Sequence, residues 1–159
     1  MSIRKATKAD VPVILEMIRG LAEYERALDE VEATEESLAA TLFSESPAAF
    51  AEIIEHEGLA VGFAIWFLNY STWQAKYGLY LEDLYVLPEY RGHGYGKQML
   101  VHLAQTCIDH DYGRFQWWVL DWNEPSIEFY KAHGAVAMDE WTVFRVSGDN
   151  LKKLAATKL

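Results

Sequence analysis

Arg91-Gly92-His93-Gly94-Tyr95-Gly96-Lys97 stands between a strand-like run, residues 79–87 ending at Pro88, and a helical series. In that series Leu100, Leu103, Ala104, Cys107 and Ile108 keep one face apolar. Closely spaced glycines at a helix entrance let backbone N–H groups converge on an anion, and a phosphate is the natural guest. Two familiar phosphate motifs fail. The dinucleotide pattern G-x-G-x-x-G meets Lys97 where its third glycine belongs. The nucleotide-triphosphate loop would need glycine at Arg91 and Ser or Thr at Gln98. R-x-x-G-x-G does fit, through Arg91, Gly94 and Gly96.

Outward from the turn, the chain alternates strands and helices. Residues 3–6 read as a strand. Thr7 and Asp10 then stand in capping-box spacing before the apolar series Val11, Ile14, Leu15, Ile18, Leu21 and Ala22. A second helix is expected over residues 35–43 behind Thr34. Residues 49–56 and 59–70 read as a hairpin about Glu57-Gly58. Residues 115–120 are rich in β-formers. Asn123 and Pro125 open a short helix that Gly134 stops, residues 142–146 read as a last strand, and residues 150–156 as a terminal helix. The order β-α-α-β-β-β-α-β-α-β predicts an α/β (α+β) fold, a mixed and mostly antiparallel sheet flanked by helices. No repeat or Gly/Ser-rich linker divides residues 1–159, which are expected to form a single domain.

Composition narrows the function. Fourteen Lys and Arg against 24 Asp and Glu give a net charge of −10, which argues against nucleic acid or an anionic membrane as partner and suits a cationic ligand. No apolar run approaches the roughly 18 residues of a membrane span, so a cytoplasmic protein is expected. The lone Cys107 falls on an apolar helix face and reads as a core residue. His93, His102, His110 and His133 have no partner spacing that would make a metal site.

The R-x-x-G-x-G turn, after a strand carrying Glu82, Asp83, Leu84, Tyr85 and Val86, resembles the pyrophosphate-binding motif of the GNAT superfamily of acetyl-CoA-dependent N-acetyltransferases. Tyr80-Leu81-Glu82-Asp83, Pro88-Glu89-Tyr90-Arg91-Gly92 and residues 123–131 look like the diamine (spermidine/spermine) branch. Ser71-Thr72-Trp73 and Leu120-Asp121-Trp122-Asn123 look like the thialysine-acetylating branch. The resemblance implies a GNAT-like fold, acetyl-CoA as cosubstrate, no metal, a homodimer, and a small cationic amine as acceptor. It implies that Arg91, Gly92, His93, Gly94, Tyr95, Gly96 and Lys97 hold the pyrophosphate. Leu84, Tyr85 and Val86 would carry the pantetheine arm along their strand edge, and Asn123, Ser126 and Lys131 would complete cofactor contact.

Amide formation from a thioester needs a deprotonated amine, a stabilised oxyanion and a proton for the leaving thiolate. An alkylamine of pKa about 10.4 is protonated at neutral pH, so a carboxylate must strip it, directly or through water. Glu82 matches the family position with that role. Tyr130 matches the general acid, and Asn123, Ser126 and Tyr130 recur along one side of their helix. Backbone N–H groups near Val86 are the expected oxyanion donors. Tyr24, Glu25 and Trp73 match the amine tunnel of the diamine branch, with Glu82 and Asp83 beside them. By strand alternation Glu82 and Asp83 face opposite sides of the sheet unless a bulge intervenes. Acetylation of a protein or peptide amine, and a CoA-binding sensor without turnover, are the alternatives. Retention of both Glu82 and Tyr130 weighs against the sensor.

Overall fold

The computed structural model describes residues 1–157. They form two compact units, Met1–Leu120 and a second beginning at Asp121.

The first unit is a five-stranded sheet with helices on both faces. Its strands are β1 (Ser2–Lys5), β2 (Ala49–His56), β3 (Leu59–Ser71), β4 (Lys76–Val86) and β5 (Phe115–Gln116). They lie in the order β1-β2-β3-β4-β5, antiparallel except for the parallel pair β4–β5. The β2–β3 turn places Glu57 at φ 51° and Gly58 at φ 81°, two left-handed residues that match the twist of the flanking strands.

Helix α1 (Val11–Tyr24) and helix α2 (Glu35–Leu42) cover one face. There Ile14, Met17 and Leu42 pack with Ala51, Ile53, Phe63, Ile65 and Tyr85. The Thr7–Asp10 box closes the 3₁₀ turn Lys8–Asp10 that leads into α1, and Thr34 caps α2. Asp10 accepts from the Thr7 N–H at 2.7 Å, and Thr34 and Ser37 exchange backbone-to-side-chain bonds at 3.0 and 3.1 Å. Helix α3 (Tyr95–Asp109) lies against β4 and buries Met99, Leu100, Leu103 and Cys107. Its His102 reaches toward Glu52, which alternates with Ala51 and Ile53 and so lies on the sheet face opposite α1.

The second unit contains α4 (Glu124–Ala132) and α5 (Gly148–Ala155). Two expected strands differ. β5 is two residues long rather than the 115–120 read from composition, because β4 pairs with it only at Leu79 and Tyr80, before a bulge bends β4. Residues 142–147 form no strand, since β-propensity without a ladder partner leaves backbone groups unpaired. Phe144 there is 91% exposed.

Candidate active site

The glycine turn is open where an anion would sit. After the 3₁₀ turn Pro88–Tyr90, Gly92 and Gly94 take φ of 79° and 81°, a left-handed conformation that a side chain rarely adopts. A Cβ at Gly92 or Gly96 would meet nothing within 4 Å. Gly94 is the N-cap of α3, no side chain among the described residues caps it, and the first turn carries no acid. The leading N–H groups of a 15-residue helix therefore face an uncrowded entrance, with exposed Lys97 beside it. This is a fit to a pyrophosphate. His93 Nδ1 lies 3.0 Å from the Arg91 carbonyl oxygen, and buried Tyr95 meets His56 Nδ1 at 2.8 Å, so the turn is braced from both sides.

The preceding strand carries the decisive irregularity. Ile65 pairs with Asp83 and Trp66 with Leu81, which leaves Glu82 as the extra residue of a β-bulge. The bulge answers the alternation expected of Glu82 and Asp83. It returns Asp83 to the face of Tyr80 and Tyr85, whose partners Phe67 and Phe63 share the side of β3 that α1 covers. Leu84 and Val86 alternate with them and fall on the opposite face. Beyond Tyr80 no strand among the described residues pairs with the far edge of β4, so residues 81–86 offer a free ladder edge.

The charges of Glu82 and Glu25 both act on Asp83. Asp83 is half-buried. Desolvation first, then the charges of Glu82 and Glu25, push its pKa from 3.8 up to about 6. Glu25 occupies the C-cap of α1, where the helix dipole disfavours an anion, and desolvation raises its pKa as well. Tyr24 precedes it, its ring against the Arg91 guanidinium. Along the same face Tyr80 packs on Phe67 at 4.9 Å and edge-on to Trp118 at 5.8 Å, an aromatic floor leading away from Asp83.

Trp73 is placed elsewhere. It is 90% exposed at the tip of the β3–β4 hairpin, two residues past Ser71, which is itself six residues along β3 from Ile65, the partner of Asp83, and so roughly 20 Å away or more. In the second unit, buried Asn123 caps α4 by accepting from the Ser126 N–H at 3.4 Å. Tyr130 is half-buried with its ring 5.5 Å from Phe129, and Lys131 pairs with Glu128 at 3.2 Å. Among the described residues no group of three His, Cys, Asp or Glu could hold a metal ion.

One contributor escapes a motif-based reading. A Cβ on Gly20 would lie 2.7 Å from the Tyr85 hydroxyl, so this glycine lets α1 settle onto β4. Its signal is a lone glycine inside an otherwise periodic helix.

Residues 14–135 match the model of the acetyltransferase (GNAT) family. The chain is 40% identical to thialysine N-epsilon-acetyltransferase of Sus scrofa, over 96% of each chain. It is 30% identical to an L-ornithine N5-acetyltransferase of Arabidopsis thaliana, over 96% of this chain and 86% of the relative. Among solved structures, an integron cassette protein from the mobile metagenome of V. cholerae superposes with a TM-score of 0.82 at 27% identity, over 98% of each chain.

Proposed function

The chain belongs to the acetyltransferase (GNAT) family, and from that premise we propose that it moves an acetyl group from acetyl-CoA to a primary amine of a small dicationic acceptor. A thialysine-like or ornithine-like amino acid and a short diamine or polyamine are the acceptors that fit. The observation that carries this reading is Asp83, half-buried on the α1 side of β4 and within reach of the charges of both Glu82 and Glu25. Acids that raise one another's pKa favour a ligand that brings positive charge, and a second positive charge on the acceptor supplies it. The names of the two relatives support an amine-bearing small molecule over a protein substrate.

Acetyl-CoA supplies an acyl thioester when bound. The turn of residues 91–97 would hold its pyrophosphate on backbone N–H groups, and the free edge at Leu84, Tyr85 and Val86 would hold its arm. In this reading Glu82 takes the proton from the bound ammonium, directly or through water. Asp83 and Glu25 orient the distal cation, and Tyr130 is assigned the role of general acid for the leaving thiolate by the family match alone. Asn123, Ser126 and Lys131 on the Tyr130 helix are assigned to cofactor contact by the family match alone. The family likeness and the exposed Val136, Trp141 and Phe144 support a homodimer, and an acidic chain suits a cytoplasmic location. No helix among the described residues is long and apolar enough to cross a membrane.

An acceptor screen with acetyl-CoA and a free-thiol readout tests the proposal. Thialysine, ornithine, putrescine and spermidine should exceed n-butylamine and a basic peptide in kcat/KM by about tenfold or more at low salt. Equal turnover of n-butylamine and putrescine would remove the acidic acceptor site.

A further inference from the structure

Arg91 touches α1 and β4 at once. Its Nε donates to the Val86 carbonyl oxygen at 3.0 Å, where β4 ends. Its guanidinium carbon is 5.2 Å from the ring centroid of Tyr24 and 5.3 Å from that of Tyr85, both within the range of about 6 Å at which a cation is drawn to an aromatic ring. Tyr85 is also the residue that Gly20 admits against α1. Gly20 and Tyr24 are i and i+4 on α1, hence neighbours on one helix face. A continuous stack therefore runs from α1 through Tyr24, Arg91 and Tyr85 into the strand that carries Asp83.

An arginine serving only as an anion ligand would keep its donors for the phosphate. Here Nε is committed to a backbone carbonyl and the planar group is set beside two rings. Arg91 begins the turn that leads into α3, and Tyr24 directly precedes Glu25, so one side chain is shared between the cofactor turn and the acceptor wall. We propose that Arg91 is a positioning residue that couples the two: ordering of the turn by the cofactor and placement of Tyr24 and Glu25 at the acceptor side are linked through the Tyr24–Arg91–Tyr85 stack. The inference rests on the assignment of residues 91–97 to CoA and of Glu25 and Asp83 to the amine. Because coupling between two binding events is reciprocal, it can be read from either end.

The test is a double-mutant cycle on CoA affinity, measured by calorimetry with no amine present. Tyr24→Leu removes the ring face, Tyr24→Phe keeps it, and Arg91→Lys keeps the charge while losing both the Val86 bond and the planar stack. Tyr24→Leu and Arg91→Lys should each weaken CoA binding by about two- to fivefold, the scale of an exposed cation–ring contact. The double variant should be no weaker than the worse single, and Tyr24→Phe should stay near wild type. At the acceptor end, Arg91→Lys at saturating acetyl-CoA should raise the amine KM by a similar factor with kcat little changed. Additive losses, or a Tyr24→Leu chain that binds CoA like wild type, overturn the coupling. Should Tyr24→Leu fail to fold, an unchanged amine KM in Arg91→Lys overturns it instead. Wild-type protein that does not bind CoA at all sinks the functional assignment itself, a result distinct from wild-type binding with additive variants.

Discussion

Asp10 and Asp83 belong to the same unit and are treated in opposite ways by it. Asp10 is surrounded by donors: Arg4 Nη1 and Nη2 each donate to it at 2.8 Å, and the N–H and hydroxyl of Thr7 donate at 2.7 and 2.9 Å. The Arg4 bonds hold its carboxyl far below the usual carboxylate range. Asp83 is surrounded by other acids and by burial, and its pKa rises to about 6. An acid among donors fastens β1 to the start of α1, whereas an acid among acids weakens the fold it sits in. The second arrangement makes sense for a residue whose partner is a ligand, in line with the cost that binding sites impose on stability.

The largest effect that sharpens this contrast is on activity. Asp83→Asn keeps shape and removes charge, so kcat/KM for a dicationic acceptor should fall roughly 30- to 100-fold, the value of a charged hydrogen bond in a half-buried site. CoA affinity, measured by calorimetry, should stay within about twofold. A loss confined to CoA binding would reverse the assignment of Asp83 to the acceptor side.

Next in size is the loss of Asp10. Asp10→Asn breaks a bidentate ion pair and the Thr7 bonds and should cost about 1.5–2 kcal/mol at pH 7 by denaturant unfolding, the released Arg4 being solvated enough to limit the damage. Because the folded pKa of Asp10 is depressed, its contribution is present above the ordinary pKa of 3.8 and fades as pH falls below it. A cost under about 0.5 kcal/mol at pH 7 would mean that the pair is ornamental, as many exposed pairs are.

What could be read from sequence tracks how local its cause is. Thr7–Asp10, Thr34–Ser37 and Glu57-Gly58 act within four residues, and each forms the expected cap or turn. The glycine turn is equally local, and its left-handed angles follow from its glycines. The bulge at Glu82 depends on register against β3 and has no signature in the residues themselves, which is why alternation alone sends Asp83 to the opposite face. The influence of the Glu25 charge on Asp83 joins positions 58 apart in the chain and requires α1 to be seated on β4, as Gly20 allows. Residues 142–146 show the reverse error: their β-formers satisfy a local rule, but a strand is a property of two segments. Trp73 fits a family position by its neighbours Ser71 and Thr72, yet the hairpin carries it to an exposed tip.

The smallest effect follows from the raised pKa of Asp83 and separates burial from contact. Below pH 3.8 Asp83 is protonated in both folded and unfolded chains and contributes nothing. Between 3.8 and about 6 the folded chain holds a proton that the unfolded chain has released, so stability falls as pH rises; above about 6 the penalty is complete and constant. The full rise would be worth about 3 kcal/mol, and solvent screening at a part-exposed site reduces it, so Asp83→Asn should gain on the order of 1–2 kcal/mol over wild type at pH 8 and close to nothing at pH 4. In a chain of this size that is a rise in Tm of about 2–6 °C at pH 8. The same substitution is expected to lower activity, and the two effects together distinguish a strained ligand-facing acid from a structural one. A gain of equal size at both pH values would trace it to packing, and no gain at pH 8 would show that Glu25 and Glu82 leave Asp83 free to ionise at its ordinary pKa.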